Sequence, residues 1–153
     1  MTNLQNSETT LNENATFGLG KIRILHPPGT FALTPASLVS IQAIGKNKHL
    51  LSGIGIDWGS GAGCLSTAAA RIPAVSEISG LEISGTNVNI GLKNAQLNRV
   101  EDKITFIHSD SYLPFSTHDR KTFENVKGRV SFVLANPPSS ENDDGFEYRR
   151  TVL

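Results

Sequence analysis

A glycine-rich segment, Asp57-Trp58-Gly59-Ser60-Gly61-Ala62-Gly63, carries the clearest chemical signal in the sequence. Glycines at alternate positions let the backbone take positive φ and let a ligand come close, because no Cβ stands in the way. The helix that follows such a turn offers unpaired N–H groups and the positive end of its dipole. An acid such as Asp57, at the end of the strand before the glycines, would repel a pyrophosphate but attract an ammonium or a sulfonium. The segment therefore predicts a binding turn for a ligand that carries positive charge.

Two further acidic positions end the next two apolar segments of the chain. Glu82 closes the segment 78–82, where a carboxylate can accept both hydroxyls of a ribose. Ser109 and Asp110 close the segment after it, where a side chain or amide can meet the edge of a purine. Ligands of open α/β sheets sit outside the carboxyl ends of the strands. We therefore expect Asp57, Glu82 and Asp110 to converge on one crevice.

A fourth apolar segment, residues 129–135, ends abruptly in Asn136-Pro137-Pro138. Each proline locks its own φ and restricts the residue before it, so the corner is rigid. The sequence thus fixes an amide side chain at the end of a buried strand, beside the predicted crevice.

The elements that must position these residues alternate along the chain. Thr34-Pro35 is typical of an N-cap followed by proline at the first helical position. The apolar spacing after it predicts a helix that ends at Gly45, with a face formed by Leu38, Ile41 and Ile44.

From residue 50 onward, strands and helices of about a dozen residues follow one another. We predict strands over residues 54–57, 78–82, 103–108 and 129–135 and helices over residues 64–71 and 86–98. The second helix is expected to present Val88, Leu92 and Ala95, and residues 110–128 are expected to form a long polar loop. This alternation indicates parallel βαβ units. The predicted fold class is α/β, with an open, mostly parallel sheet in three αβα layers.

The composition fits one ordinary globular domain. Of the 153 residues, 38% are hydrophobic and 18% are charged, which excludes a disordered chain and a membrane protein. Fourteen basic residues balance fourteen acidic ones, so no overall field favours nucleic acid. The single cysteine, Cys64, excludes an internal disulfide, and the four histidines show no metal spacing. Residues 1–16 lack the features of a targeting signal and are predicted to be a disordered polar tail.

Five segments together resemble the class I S-adenosylmethionine-dependent methyltransferases. "GIDWGSGAGCLS" is similar to the first motif of that family, "ISGLEIS" to the acidic motif that holds the ribose, and "FIHSDSYLPF" to the motif beside the adenine. "LANPPSS" resembles the N-P-P-[YF] signature of amino methyltransferases. "GTFALTPAS" is similar to a segment of the subgroup that modifies release-factor glutamine or the amino groups of guanine and adenine in rRNA.

The resemblance implies a Rossmann-like methyltransferase fold, S-adenosylmethionine as cofactor and a methyl acceptor in a protein or nucleic acid. It implies that the Asn136 side-chain oxygen and the Pro137 carbonyl, fixed by Pro138, accept hydrogen bonds from the acceptor's amino group. The cofactor-binding residues that it implies are Thr34, Asp57, Gly59, Ser60, Gly61, Gly63, Glu82, Ile83, Ser109, Asp110 and Asn136. No metal is implied, and a cytoplasmic or nuclear location is expected.

Two departures from the family pattern bear on activity. Ser139 stands where the family has an aromatic residue that stacks on a planar target, and Trp58 is bulkier than the usual aliphatic residue. The family's sheet also continues beyond the fourth strand, so we expect residues 17–153 to be a partial methyltransferase domain. Its exposed apolar edge strand is expected to be covered by a partner protein.

Three functions are therefore compared. The first is transfer of a methyl group to a planar amino nitrogen, in protein glutamine or in an RNA or DNA base. The second is a non-catalytic cofactor-binding or interaction module, favoured by Ser139 and the short chain. The third, a nicotinamide-dependent oxidoreductase, is disfavoured because the glycine spacing differs and Asp57 would oppose a pyrophosphate.

Overall fold

The computed structural model describes residues 7–30 and 33–137. Its strands are β1 (Glu8–Leu11), β2 (Ile22–Leu25), β3 (Gly53–Trp58), β4 (Val75–Glu82), β5 (Ile104–Asp110), β6 (Leu113–Pro114) and β7 (Val130–Ala135). Its helices are α1 (Pro35–Lys46), α2 (Cys64–Ala70), α3 (Gly85–Leu97) and α4 (Thr117–Glu124), with short 3₁₀ turns at Lys48–Leu50 and Glu101–Lys103. The predicted strands and helices after residue 34 are confirmed, with small shifts at their ends.

The main sheet has five strands in the order β6-β5-β4-β3-β7. Strands β5, β4, β3 and β7 run parallel to one another, and the short β6 is antiparallel to β5. The first two strands form a separate antiparallel hairpin, with Glu8 opposite Leu25 and Leu11 opposite Ile22. The predicted open, mostly parallel α/β architecture is confirmed.

The two faces of the main sheet are both covered by apolar contacts. On one face, residues of β4 and β5 pack with α1, α2, α3 and the hairpin, including Ile41, Ala68 and Ile78. On the other face, the alternate residues form a smaller cluster to which α4 contributes Phe123: Ile56, Trp58, Leu81 and Ile107. Side chains of a strand alternate between the two faces of the sheet, so each face buries its own set of residues. Helices cover both faces, which gives the predicted three αβα layers.

Three glycines allow α2 and α3 to approach β5 closely around the ring of Phe106. A Cβ on Gly63 would lie 2.6 Å from the Phe106 ring, one on Gly80 2.7 Å and one on Gly91 2.8 Å. Any larger residue would therefore push α2, β4 or α3 away from the ring. This packing sets the height of the glycine-rich turn above the sheet.

Two of the sequence predictions are wrong. The tail predicted for residues 1–16 is not disordered over its described part, because residues 8–11 form β1 and Thr16 is fully buried. The hairpin hydrogen bonds pair residues far apart in sequence, which local polarity does not reveal. The loop predicted for residues 110–128 contains β6 and α4, a polar helix capped by Ser116, whose side chain accepts from the Asp119 N–H.

Within the described residues, β7 pairs with β3 alone and is an edge strand. Its outward residues Ser131, Val133 and Ala135 are exposed, with Val133 42% accessible. The expected exposed apolar edge is thus present, and its cover by a partner protein stays a prediction.

Candidate active site

The carboxyl ends of β3, β4, β5 and β7 surround a crevice of about 390 Å³. This volume is within the range of small-molecule sites. Its lining joins all four strand ends and comprises Trp58, Gly59, Gly61, Leu81, Glu82, Ile83, Asn87, Ser109, Asp110, Ser111, Asn136 and Pro137. The convergence expected from the topology is therefore found for Glu82 and Asp110.

The glycine-rich turn, residues 59–63 between β3 and α2, is fastened to the end of β4. Gly59, Gly61 and Gly63 all have left-handed φ, at 69°, 54° and 77°, which favours glycine at each. The Ser60 N–H donates to the Leu81 carbonyl at 2.9 Å, and the Gly61 N–H donates to Glu82 Oε2 at 2.7 Å.

Most of the N–H groups around the turn are used within the protein. Those of Ser60, Gly61 and Gly63 donate to protein oxygens, and in the following helix, which was expected to offer unpaired N–H groups, that of Ser66 donates to Asp57. A pyrophosphate needs several converging donors of this kind. The turn therefore suits a ligand that packs against the glycine backbone and has no phosphate at this point. A dinucleotide is further disfavoured as the ligand.

Glu82 is the buried acid of the crevice, 7% exposed. Besides Gly61, it accepts from the Ser84 N–H at 2.8 Å and from Asn87 Nδ2 at 3.2 Å, both at Oε1. An ionised carboxylate has about four acceptor positions. A vicinal diol could therefore take the fourth position and displace Asn87, whose hydrogen bond is the longest.

Asp57 has a different position from the one predicted. It is 2% exposed and does not line the crevice, and its Oδ2 accepts from the Ser66 N–H at 2.9 Å and the Ser66 hydroxyl at 2.6 Å. Ser66 lies in the first turn of α2, whose N-cap residue Gly63 has no side chain. Asp57 thus supplies the missing helix cap from the neighbouring strand, the stabilising end for a negative charge.

Burial raises the pKa of Asp57 to about 6, because removal from water disfavours the charged form. The hydrogen bonds from Ser66 oppose this shift, and repulsion from Glu82 adds to it. A cation near the turn would favour the ionised form of Asp57. The carboxylate can therefore still attract a positively charged ligand, as expected from the sequence.

Asp57 also borders a second, smaller cavity of about 20 Å³ beneath the turn, together with Ser37, Ser60 and Asn136. This is room for one water or one small polar group. The Ser60 hydroxyl is buried and has no hydrogen-bond partner among the described residues. A buried hydroxyl normally finds a partner; this one lies on the β4 side of the turn, 3.1 Å from where a Cβ on Gly80 would stand.

The expected adenine side of the crevice is formed by the end of β5 and the residue after Glu82. Ser109 is buried and Asp110 is exposed, and Ile83, which also lines the crevice, is 62% exposed to solvent. An apolar side chain beside a carboxylate is the mixture that a planar base with polar edges requires.

Asn136 and Pro137 lie at the end of β7 and close the opposite side of the crevice. Asn136 borders both cavities, and its Nδ2 donates to the Ser37 hydroxyl at 3.4 Å. This contact commits the amide nitrogen to α1 and leaves the side-chain oxygen as an acceptor. Pro138 and Ser139 lie outside the described residues.

Two predicted cofactor-binding residues do not line either cavity. Thr34 is the N-cap of α1, where its hydroxyl accepts from the Ser37 N–H at 3.2 Å in a capping box. Gly63 packs against Phe106 and Gly91 instead. Both residues support the site indirectly. Thr34 fixes Ser37, which accepts a hydrogen bond from Asn136, and Gly63 lets α2 begin close to the sheet.

Asn87 and Ser111 line the crevice and were missed from the sequence. Asn87 is in the first turn of α3, where the N-cap Ser84 accepts from its N–H. The sequence signal for Asn87 is the pattern Ser-x-x-Asn after Glu82, which is typical of a capped first helical turn. Ser111 has φ of 51° and accepts from the Trp58 indole N–H at 2.9 Å, a contact that no spacing reveals.

Comparison with known proteins bears on the identity of this site. Residues 28–137 match the family described as ribosomal protein L11 methyltransferase (PrmA). The chain belongs to this methyltransferase family. Membership confirms the class I S-adenosylmethionine-dependent methyltransferases as the class to which the motifs pointed, and S-adenosylmethionine as the cofactor.

A protein of Methanocaldococcus jannaschii, named as a protein N5-glutamine methyltransferase, is 36% identical over 93 residues. The match includes 61% of this chain, which spans 38% of the length of that relative.

Two solved methyltransferases share the fold. A human methyltransferase 10 domain containing protein has a TM-score of 0.58 at 20% identity, over 92% of this chain and 65% of that chain. A tRNA methyltransferase of M. jannaschii has a TM-score of 0.54 at 16% identity, over 97% and 46%. These likenesses confirm the Rossmann-like methyltransferase fold.

Across residues 7–30 and 33–137, no group of three or more His, Cys, Asp or Glu side chains could hold a metal ion. Over those ranges, too, every helix is too short or too polar to cross a membrane. Cys64 is buried and its pKa is raised to about 12, chiefly by burial, so its thiol is inert as a nucleophile.

Proposed function

We propose that this chain carries the cofactor site and the Asn136-Pro137 corner of an N-methyltransferase that acts on a planar amino nitrogen. The acceptor would be a glutamine side chain of a protein or an amino group of a nucleic-acid base. The observation that carries the proposal is Asn136, which borders both cavities while Ser37 holds its amide nitrogen.

Bound S-adenosylmethionine supplies a methyl group on a sulfonium. That methyl carbon would pass to the acceptor nitrogen, with the electron pair of the carbon–sulfur bond left on sulfur and a proton later lost from nitrogen. The lone pair of an amide or aromatic amine is delocalised, so an acceptor for its N–H groups favours the tetrahedral nitrogen of the transition state. The Asn136 oxygen and the Pro137 carbonyl would do this without adding charge beside the sulfonium.

The other residues hold the cofactor in place. Glu82 would accept the ribose hydroxyls, Ile83 and Asp110 would border the adenine, and Ser60 would bind the amino-acid end. The named relative supports a glutamine acceptor. The alternative, a cofactor-binding module without transfer, is supported by Ser139, which stands where the family has a stacking aromatic residue.

The test compares Asn136→Ala with Asn89→Ala, a matched change on the exposed side of α3. Asn136→Ala should leave cofactor affinity within about twofold and lower the methyl-transfer rate by about 10²–10³, the effect of losing one preorganised transition-state contact. Affinity is measured by titration calorimetry, and transfer with methyl-labelled cofactor on protein and RNA extracts. Asn89→Ala should change neither.

Each contrary outcome is distinct. An unchanged transfer rate in Asn136→Ala would remove this residue from catalysis. A parallel loss of affinity would make it a cofactor ligand only. Cofactor binding by the wild type with no transfer to any extract would favour the non-catalytic module.

A further inference from the structure

Two asparagines one turn apart, Asn94 in α3 and Asn98 at its C-cap, are buried in the fold. Asn94 is completely inaccessible and Asn98 is 3% exposed. Asparagine is unfavourable inside a helix, where Asn94 lies, and any buried amide costs free energy unless its hydrogen bonds are made. Both amides must therefore have a specific role in tertiary structure.

Asn98 clamps the free edge of β2 to the helix. Its Oδ1 accepts from the Arg23 N–H at 2.9 Å, and its Nδ2 donates to the Arg23 carbonyl at 2.6 Å. The second hydrogen of Nδ2 goes to the Asn94 carbonyl at 2.7 Å, within α3 itself. Asn98 thus connects only the hairpin and the helix.

Asn94 binds β2 in the same way two residues further along, at Leu25, and it also makes a contact outside β2. Its Oδ1 accepts from the Leu25 N–H at 2.7 Å, and its Nδ2 donates to the Leu25 carbonyl at 3.0 Å. The second hydrogen of this Nδ2 goes to the Ala62 carbonyl at 2.8 Å. Ala62 lies between Gly61 and Gly63, inside the glycine-rich turn.

We propose that Asn94 is a positioning residue for the cofactor, because it joins the β1–β2 hairpin to the glycine-rich turn. On its other side the turn is held by Leu81 and Glu82. Glycine loses more conformational freedom on ordering than any other residue. A turn held from both sides has lost that freedom before the ligand arrives, so binding costs less. The inference rests on the proposed function, since the turn is part of its cofactor site.

Asn98 provides a matched control for the test. Asn94→Ala and Asn98→Ala each remove one clamp on β2, so both should lower thermal stability to a similar extent. Only Asn94→Ala also releases Ala62. In the cofactor-free protein it should speed hydrogen exchange of the Gly61 and Gly63 amides about tenfold, against less than twofold for Asn98→Ala. It should also weaken S-adenosylmethionine binding about five- to tenfold, with Asn98→Ala again below twofold.

Equal effects of the two variants on turn exchange and on affinity would overturn the proposal. If the wild type does not bind S-adenosylmethionine, the proposed function fails, while the exchange comparison still decides the role of Asn94.

Should Asn94→Ala fail to fold, the wild type gives the answer. Coupling is reciprocal, so S-adenosylhomocysteine should slow exchange of the Asn94 side-chain amide and leave that of Asn98 unchanged. Equal slowing of both amides, or of neither, would contradict the proposal.

Discussion

The buried carboxyl of Asp57 makes the stability of this protein depend on pH in an unusual direction. Its pKa rises from 3.8 in the unfolded chain to about 6 in the fold, mainly because of burial. Between these values the folded state binds more protons than the unfolded state. Stability from this group is therefore fully present below about pH 4, and it is lost as the pH rises through about 6.

The size of the effect follows from the shift. A difference of about 2.2 units corresponds to about 3 kcal/mol over the full titration, at about 1.36 kcal/mol per unit. Between about pH 4.5 and pH 7.5, where the protein is easier to handle, the linkage relation gives about 2 kcal/mol. Asp57→Asn removes this titration and keeps an oxygen that can accept from Ser66.

The assay is urea unfolding of wild type and Asp57→Asn at several pH values across that range. The free energy of unfolding of the wild type, minus that of the variant, should fall by about 2 kcal/mol from low to high pH. Taking the difference cancels the titration of groups that both proteins share. A difference that stays constant, or rises with pH, would refute the assignment of a raised pKa to a buried Asp57.

Two further predictions concern the fluorescence of Trp58 and the packing of Gly91. The indole of Trp58 lines the crevice, so S-adenosylhomocysteine should change its fluorescence saturably; a saturable response to a nicotinamide dinucleotide alone would contradict the family assignment. Gly91→Ala should lower stability by about 1–3 kcal/mol in urea unfolding, because its Cβ would lie 2.8 Å from the Phe106 ring, which Gly63 also confines. A Cβ on Gly85, in the same helix, would have no neighbour closer than 3.7 Å, so Gly85→Ala should leave stability unchanged. Equal effects of the two changes would argue against a confined Phe106 ring.

The sequence predicted those elements whose local signals agree with their tertiary environment. Thr34-Pro35 begins α1 as expected, since the capping box uses residues three apart. Strands β3, β4, β5 and β7 are apolar runs between turns, and the acids that end β4 and β5 predicted the crevice. These signals act over a few residues and can be read directly.

The missed features depend on contacts between distant segments. The face of α3 was predicted to bury Leu92, which is 43% exposed, while Asn94 is buried. An apolar pattern cannot reveal an amide that binds the backbone of β2. Likewise Asp57 was expected in the crevice because it ends a strand, whereas Ser66 of the following helix draws it beneath the turn.

The central claim is that the crevice at the ends of β3 and β4 binds S-adenosylmethionine through Glu82. Its most direct test is calorimetric titration of S-adenosylmethionine into the wild type and Glu82→Ala. We expect saturable binding to the wild type and a loss of about 1.5–3 kcal/mol in the variant, the range for hydrogen bonds to a charged group. No binding to the wild type, or equal affinity for both proteins, would contradict it.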